Sequence, residues 1–211
     1  PRGGGGGPPT AGGGGARGER SAGRGATSHP GHGILTSMRR LLLLRHAKSS
    51  WDDPALSDHA RPLNSRGRKA AAAVAQLFHR LNLAPDLVLV SSARRTLQTL
   101  EALSPLPGQP RIEATDSLYL ATPDTMLEAI RLVPEETHCV LMIGHNPGMH
   151  ELAMKLLGRP ALEDPQGDVH RLGEGYPTAA LAEFTVEGAW DRLSAGGGRL
   201  VRFVTPADLA D

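Results

Sequence analysis

The sequence predicts an α/β domain, a three-layer α/β/α sandwich around a mixed, mostly parallel sheet. Three observations lead there. Three short unbroken apolar runs, Leu41–Leu44, Leu87–Val90 and Val140–Ile143, read as strands covered on both faces. Helical signals follow each run, so strand and helix alternate. Residues 38–211, 174 in number, suffice for one substantial core.

Taken in chain order, the first 37 residues stand apart. They hold 14 of the 26 glycines, four prolines, four arginines, one acid (Glu19) and only two large aliphatics, Ile34 and Leu35. Such a stretch cannot bury enough area to offset its ordering entropy, so 1–37 is expected to be a disordered Gly/Arg-rich segment. One reading makes it a basic arm touching RNA or acidic surfaces. The other makes it a translated upstream stretch, a cloning remnant or a fragment of a targeting peptide, with Met38 opening the folded part. Without its four arginines and one glutamate the remainder carries 19 basic and 21 acidic residues. The basic balance therefore belongs to the segment and gives no argument for a nucleic-acid partner.

The first strand ends in Arg45-His46. Asn64 and Ser65 then offer a cap for a helix whose Ala71, Val74, Ala75, Phe78 and Leu81 follow a 3.6 period. The second strand runs into Ser91-Ser92-Ala93-Arg94-Arg95 and a short helix with Leu97 and Leu100. A further helix carries Met126, Leu127 and Ile130. The third strand runs into Gly144-His145-Asn146-Pro147-Gly148, whose Asn-Pro and Gly supply turn chemistry, and a helix presents Met149, Leu152, Ala153 and Leu156. Gly158 through Gly175 reads as a loop, and strands near Ala179–Val186 and Leu200–Val204 complete the sheet.

No run of about 18 apolar residues exists, which excludes a membrane-spanning helix and a membrane partner of that kind. A single cysteine, Cys139, excludes an intramolecular disulfide framework and fits a reducing compartment; the cytoplasm is expected, or an organelle if 1–37 is a targeting fragment.

Ligands of open α/β sheets bind beyond the carboxyl ends of the strands. Here those ends deliver Arg45, His46, Arg95 and His145, with Ser91 and Ser92 beside them. Two arginines and two histidines in one crevice describe an anion pocket, and the natural anion is a phosphoryl group. A neutral imidazole can attack phosphorus, and flanking positive charge keeps it neutral. A second histidine, if protonated, would stabilise charge developing on the equatorial oxygens. That division of labour needs neither metal nor cofactor. Nine histidines invite a metal site, but no His-x-x-x-His pair with a partnering acid appears, and His145/His150 lacks a third ligand. His59, His79, His138 and His170 read as surface or loop residues.

Leu44-Arg45-His46-Ala47-Lys48-Ser49, Ser91-Ser92-Ala93-Arg94-Arg95-Thr96-x-Gln98-Thr99 and Gly144-His145-Asn146-Pro147-Gly148 resemble the signatures of the histidine phosphatase superfamily, with its phosphoglycerate mutase-like fold. The Arg-His-Ala-Lys-Ser opening, Asp58-x-x-Arg61-Pro62-Leu63-Asn64-x-Arg66-Gly67 and Pro177-Thr178-Ala179-Ala180 resemble its SixA-type branch of phosphohistidine phosphatases. The resemblance covers essentially all of 38–211. It implies His46 as the nucleophile that becomes a phosphohistidine, Arg45 and Arg95 as phosphoryl ligands, and His145 as the second histidine. Arg95 rather than Arg94 is implied because it directly precedes Thr96. Asn146, Ser91 and Lys48 are candidate substrate-binding residues; Ser91 could equally start the next helix, and Lys48 could be an exposed lysine.

Phosphomonoesterases of this fold usually carry an acidic general acid. Asp124 is the candidate here, but Thr122-Pro123-Asp124-Thr125 reads at least as well as a helix start. The imidazole of a phosphohistidine leaves with less help than an alkoxide. The expected function is thus a metal-independent phosphatase whose partner is a phosphorylated protein. The alternatives are a phosphatase for small phosphomonoesters or pyrophosphates, and a module that binds phosphate or phosphoprotein without turnover.

Overall fold

The structure, a computed structural model, describes Gly7 and residues 38–158 and 167–209. The expectations for the N-terminal segment lie outside the described residues. Among the described residues the strands are β1 (Met38–Arg45), β2 (Leu87–Ser91), β3 (Arg111–Thr115), β4 (Cys139–Gly144), β5 (Leu181–Glu187) and β6 (Gly198–Val204). The helices are α1 (Ser65–Arg80), α2 (Arg94–Leu103), α3 (Pro123–Arg131), α4 (Gly148–Leu157) and α5 (Asp168–Glu174). One six-stranded sheet has the order β3-β2-β4-β1-β5-β6. β3, β2, β4 and β1 run parallel, β5 runs antiparallel to β1, and β6 antiparallel to β5. The fold is the expected three-layer α/β/α sandwich with a mixed, mostly parallel sheet.

The unbroken apolar runs follow from this architecture. Successive side chains of a strand point to opposite faces, so a strand covered twice needs apolar residues at every position. Leu41 and Leu43 join Val140 and Met142 in one core with Met126, Ile130, Met149 and Leu152 of α3 and α4. Leu42 and Leu44 join Leu141 and Ile143 in the other, with Ala71, Val74 and Phe78 of α1 and Leu100 and Leu103 of α2. All four leucines are fully buried.

The same arrangement makes the crevice. β1 and β4 are parallel neighbours in register, Arg45 opposite Gly144. The chain leaves β1 for α1 on one face and leaves β4 for α4 on the other. Adjacent strands whose exits diverge form a topological switch point, where open α/β sheets bind their ligands.

Four details differ from expectation. β3 is an additional strand: Arg111-Ile-Glu-Ala-Thr lacks an apolar run because it is an exposed edge held by backbone pairing to β2. α5 lies within the stretch read as a loop. It buries one apolar residue, Leu172, and docks through Asp168, whose Oδ2 accepts from Phe203 N–H at 2.8 Å. Leu97 faces solvent, and Thr96 and Thr99 take the buried positions of α2 beside Leu100. The fifth strand begins at Leu181 because Ala179 turns out of extended backbone with φ 61. Its N–H instead reaches the carbonyls of Arg45 and His46, both at 3.1 Å.

Candidate active site

His46 and His145 each follow directly on the registered ends of β1 and β4. Their ring centroids are 5.1 Å apart, and His46 N–H donates to the carbonyl of Gly144 at 3.0 Å. Nδ1 of His46 lies 2.7 Å from the carbonyl oxygen of Ala47. A carbonyl only accepts, so Nδ1 carries the proton and Nε2 presents a lone pair. Nε of Arg95 donates toward that Nε2 from 3.4 Å. Burial is the main cause that lowers the pKa of His46 to about 4; the charges of Arg95, Arg45 and Arg61 add to it, and the Ala47 hydrogen bond opposes. The nucleophile candidate is therefore a neutral imidazole at neutral pH.

The loop after β1 is held by one face of α2. The spacing Arg95, Gln98, Thr99 puts three side chains on neighbouring turns. Thr99 Oγ1 accepts from Ala47 N–H at 3.0 Å, and Gln98 Oε1 accepts from Leu63 N–H at 2.8 Å. Asn64 caps α1 by accepting from Gly67 N–H at 2.8 Å. Gly67 permits the close approach of that helix: a Cβ there would stand 2.0 Å from the carbonyl oxygen of Lys48.

Arg95 is buried and lines the cavity described below, whereas Arg94 is exposed. Nη1 of Arg95 donates to the carbonyl of Asp58 at 2.6 Å and Nη2 to its Oδ2 at 3.0 Å. Arg45, half-buried, donates through Nη1 to the carbonyl of Tyr176 at 2.8 Å. Asn146 Nδ2 donates to the same carbonyl at 3.0 Å. Tyr176 is fixed in turn, its hydroxyl donating to the Leu43 carbonyl at 2.6 Å and accepting from Ala182 N–H at 3.1 Å.

His145 is buried and its Nε2 lies 2.7 Å from Oγ of Ser91. Burial chiefly, then the proximity of His46 and Arg95, lowers its pKa to about 3. Its surroundings thus favour a neutral ring over the protonated one considered above. Ser91 Oγ accepts from Ala93 N–H at 3.4 Å, which frees its own proton for Nε2 of His145 and leaves the ring proton on Nδ1. Within the described residues His145 Nδ1, Arg45 Nε and Asn146 Oδ1 are buried without a partner. Unpaired buried polar atoms are rare, and three around one floor mark a polar ligand site.

A cavity of about 260 Å³ opens over this floor. Arg45, His46, Arg95, His145, Asn146 and Lys48 of the sequence candidates line it. Ser91 does not; it is fully buried behind His145 and acts by holding that ring. Asp124 is not there either. It sits at the start of α3, exposed and ion-paired with Lys155, while Thr122 caps the helix by accepting from Thr125 N–H at 3.2 Å. No carboxylate lines the cavity among the described residues.

Asp58, Arg61, Tyr119 and Trp51 carry no role that the sequence alone announces, yet the fold brings them to the site. Arg61 supplies a third guanidinium, buried, with Nη1 on Asp58 Oδ1 at 2.8 Å and Nη2 on Ser49 Oγ at 2.7 Å. Tyr119 donates to Asp58 Oδ2 at 2.6 Å. That bond first, then those from Arg61 and Arg95, holds the Asp58 carboxyl far below the usual carboxylate range. The available signal was Asp58-x-x-Arg61 itself, an acid and a base one 3-10 turn apart inside a quoted motif. His59, read as a surface residue, packs on Tyr119 with centroids 4.9 Å apart and bonds Ser92 Oγ at 3.0 Å.

A family model described as the histidine phosphatase superfamily (branch 1) matches residues 41–118. The uncharacterized protein Rv1276c of Mycobacterium tuberculosis is 36% identical over 164 residues, 77% of this chain and 99% of its own. A structure of a candidate phosphohistidine phosphatase SixA from Nakamurella multipartitia aligns with TM-score 0.70 at 31% identity, over 80% of this chain and 96% of that one. A second such structure, from Agrobacterium tumefaciens, aligns with TM-score 0.67 at 32% identity, over 80% and 98%.

Proposed function

The chain belongs to the histidine phosphatase superfamily, in its SixA-like branch, and on that premise we propose that residues 38–211 dephosphorylate phosphohistidine in proteins through a phosphohistidine formed on His46. The observation that carries the reading is the lone pair of His46 Nε2 facing a floor of three guanidiniums, with no carboxylate among the described residues that line the cavity.

In the first step Nε2 attacks phosphorus, the P–N bond to the substrate imidazole breaks, and that imidazole leaves with its electron pair and takes a proton from water. Arg45, Arg61 and Arg95 bind the equatorial oxygens, and the Nδ1–H of His145 donates to one of them as charge develops. The Ala47 carbonyl steadies the charge that His46 acquires on phosphorylation, through the Nδ1–H bond. In the second step water attacks the phosphoryl group, the P–Nε2 bond breaks, and phosphate leaves with His46 neutral again.

The substrate class is supported by the lack of a carboxylate among the described residues lining the cavity. An alkoxide leaving group gains about 10²–10⁴-fold from a positioned acid. Asp58 is close by, yet its depressed pKa and its bonds to Tyr119, Arg61 and Arg95 make it a standing carboxylate with no proton to give. The test compares phosphate release from a phosphohistidine protein and from an aryl phosphate, in chelator. Preference for the protein is expected; preference for the ester would move the substrate to small phosphomonoesters.

A further inference from the structure

Trp51 is 76% exposed at the mouth of the cavity. Its ring lies against the guanidinium of Arg61, 3.1 Å from Cζ to centroid. Arg61 is itself pinned: besides Asp58 and Ser49, its Nε donates to the carbonyl of Ser50 at 2.8 Å. One face of the indole therefore rests on a fixed cation while much of the side chain stands in solvent. Leu120 lines the same cavity, 52% exposed, with its backbone in the left-handed region at φ 48. A leucine there costs about 1–2 kcal/mol and is the kind of strain that gathers at ligand sites.

We infer that Trp51 and Leu120 form the seat for the polypeptide that carries the phosphoryl group, packing on the target imidazole and the chain beside it. The inference deepens the proposed function and rests on it. With the phosphoryl group on the arginine floor, whatever bears it must pass this mouth. Around the phosphoryl floor the mouth presents an indole and a leucine, with Thr178 and Lys48 at their side. A flat imidazole on an apolar backbone segment matches it. Rigid aromatic anchors of this kind dominate protein recognition because little entropy is lost in using them.

The chain has two tryptophans, and the other, Trp190, is fully buried, so solvent quenching of fluorescence reports on Trp51. A peptide bearing a stable phosphotriazole analogue of phosphohistidine is expected to shield Trp51 from acrylamide, and inorganic phosphate is not. Trp51→Ala and Leu120→Ala are expected to lose about tenfold more kcat/KM on a phosphohistidine protein than on phosphoramidate. A peptide that leaves Trp51 as accessible as phosphate does would overturn the inference. So would equal losses on both substrates, which would make Trp51 a mere support for Arg61. Shielding by the peptide in a chain that prefers aryl esters would sink the phosphohistidine reading and keep the seat.

Discussion

Arg95 is gripped by Asp58 at two points, carbonyl and carboxylate, and that grip aims its remaining nitrogen, Nε, at His46 Nε2. The bidentate hold gives a buried guanidinium one orientation, and a displaced ligand group of this kind costs on the order of 10²-fold in rate. Asp58→Asn removes the charge and keeps the size. It is expected to lower kcat/KM by about 10–100-fold with an unchanged circular dichroism spectrum, whereas Arg94→Ala stays within about twofold. Equal effects in steady-state kinetics would mean that Asp58 does not position Arg95.

Ser91 acts on His145 from behind. Ser91→Ala leaves Nε2 of a buried imidazole unpaired, at a cost of about 1–3 kcal/mol in denaturant unfolding. It also frees the ring to exchange its proton between nitrogens, so kcat should fall about tenfold or more. Full activity in this variant would show that the tautomer of His145 is immaterial.

Both histidines are held neutral in the fold but protonate at the ordinary value of about 6.5 in the unfolded chain. Below that pH the unfolded state binds more protons, so stability falls as pH drops from about 6.5; the His46 share levels near pH 4 and the His145 share near pH 3, once each ring protonates in the fold. Asp58 acts in the same sense in a lower window: its depressed pKa adds stability that is present above the usual carboxylate value and lost in stronger acid. Between pH 7 and 4 the wild type should lose roughly 3 kcal/mol more than His46→Asn, read by urea unfolding. Parallel pH profiles would refute the burial of a neutral His46.

Asp124 pairs with Lys155 at the start of α3, away from the cavity. Asp124→Asn is expected to change aryl phosphate hydrolysis by less than about tenfold, below the effect of a positioned acid. A larger loss, concentrated in kcat, would restore it as the proton donor.

How much of this was legible in the sequence depends on what each element buries. β1, β2 and β4 announce themselves because both faces are covered, and each run ends on residues that line or support the site. β3 and α5 hold on by backbone pairing and by Asp168, and neither leaves an apolar pattern. His46, Arg45, Arg95 and His145 are legible as strand-end residues; which of Arg94 and Arg95 faces the cavity is visible only in the fold, where Arg95 is buried and lines it. Ser91 is legible as a strand-end hydroxyl, but not that it meets His145 from behind instead of the cavity, since a sequence does not say which face such a hydroxyl meets. Asp58, Arg61 and Tyr119 converge from segments 61 residues apart in the extreme, and only the folded chain shows Tyr119 and Asp58 as one bond.

The most direct test of the central claim is a base quench of wild type and His46→Ala during turnover of a phosphohistidine protein, followed by intact mass and peptide mapping. Phosphorylation at Nε2 of His46 in the wild type, absent from the variant together with turnover, is the result predicted. Turnover without a labelled histidine, or a label that persists in His46→Ala, would contradict it.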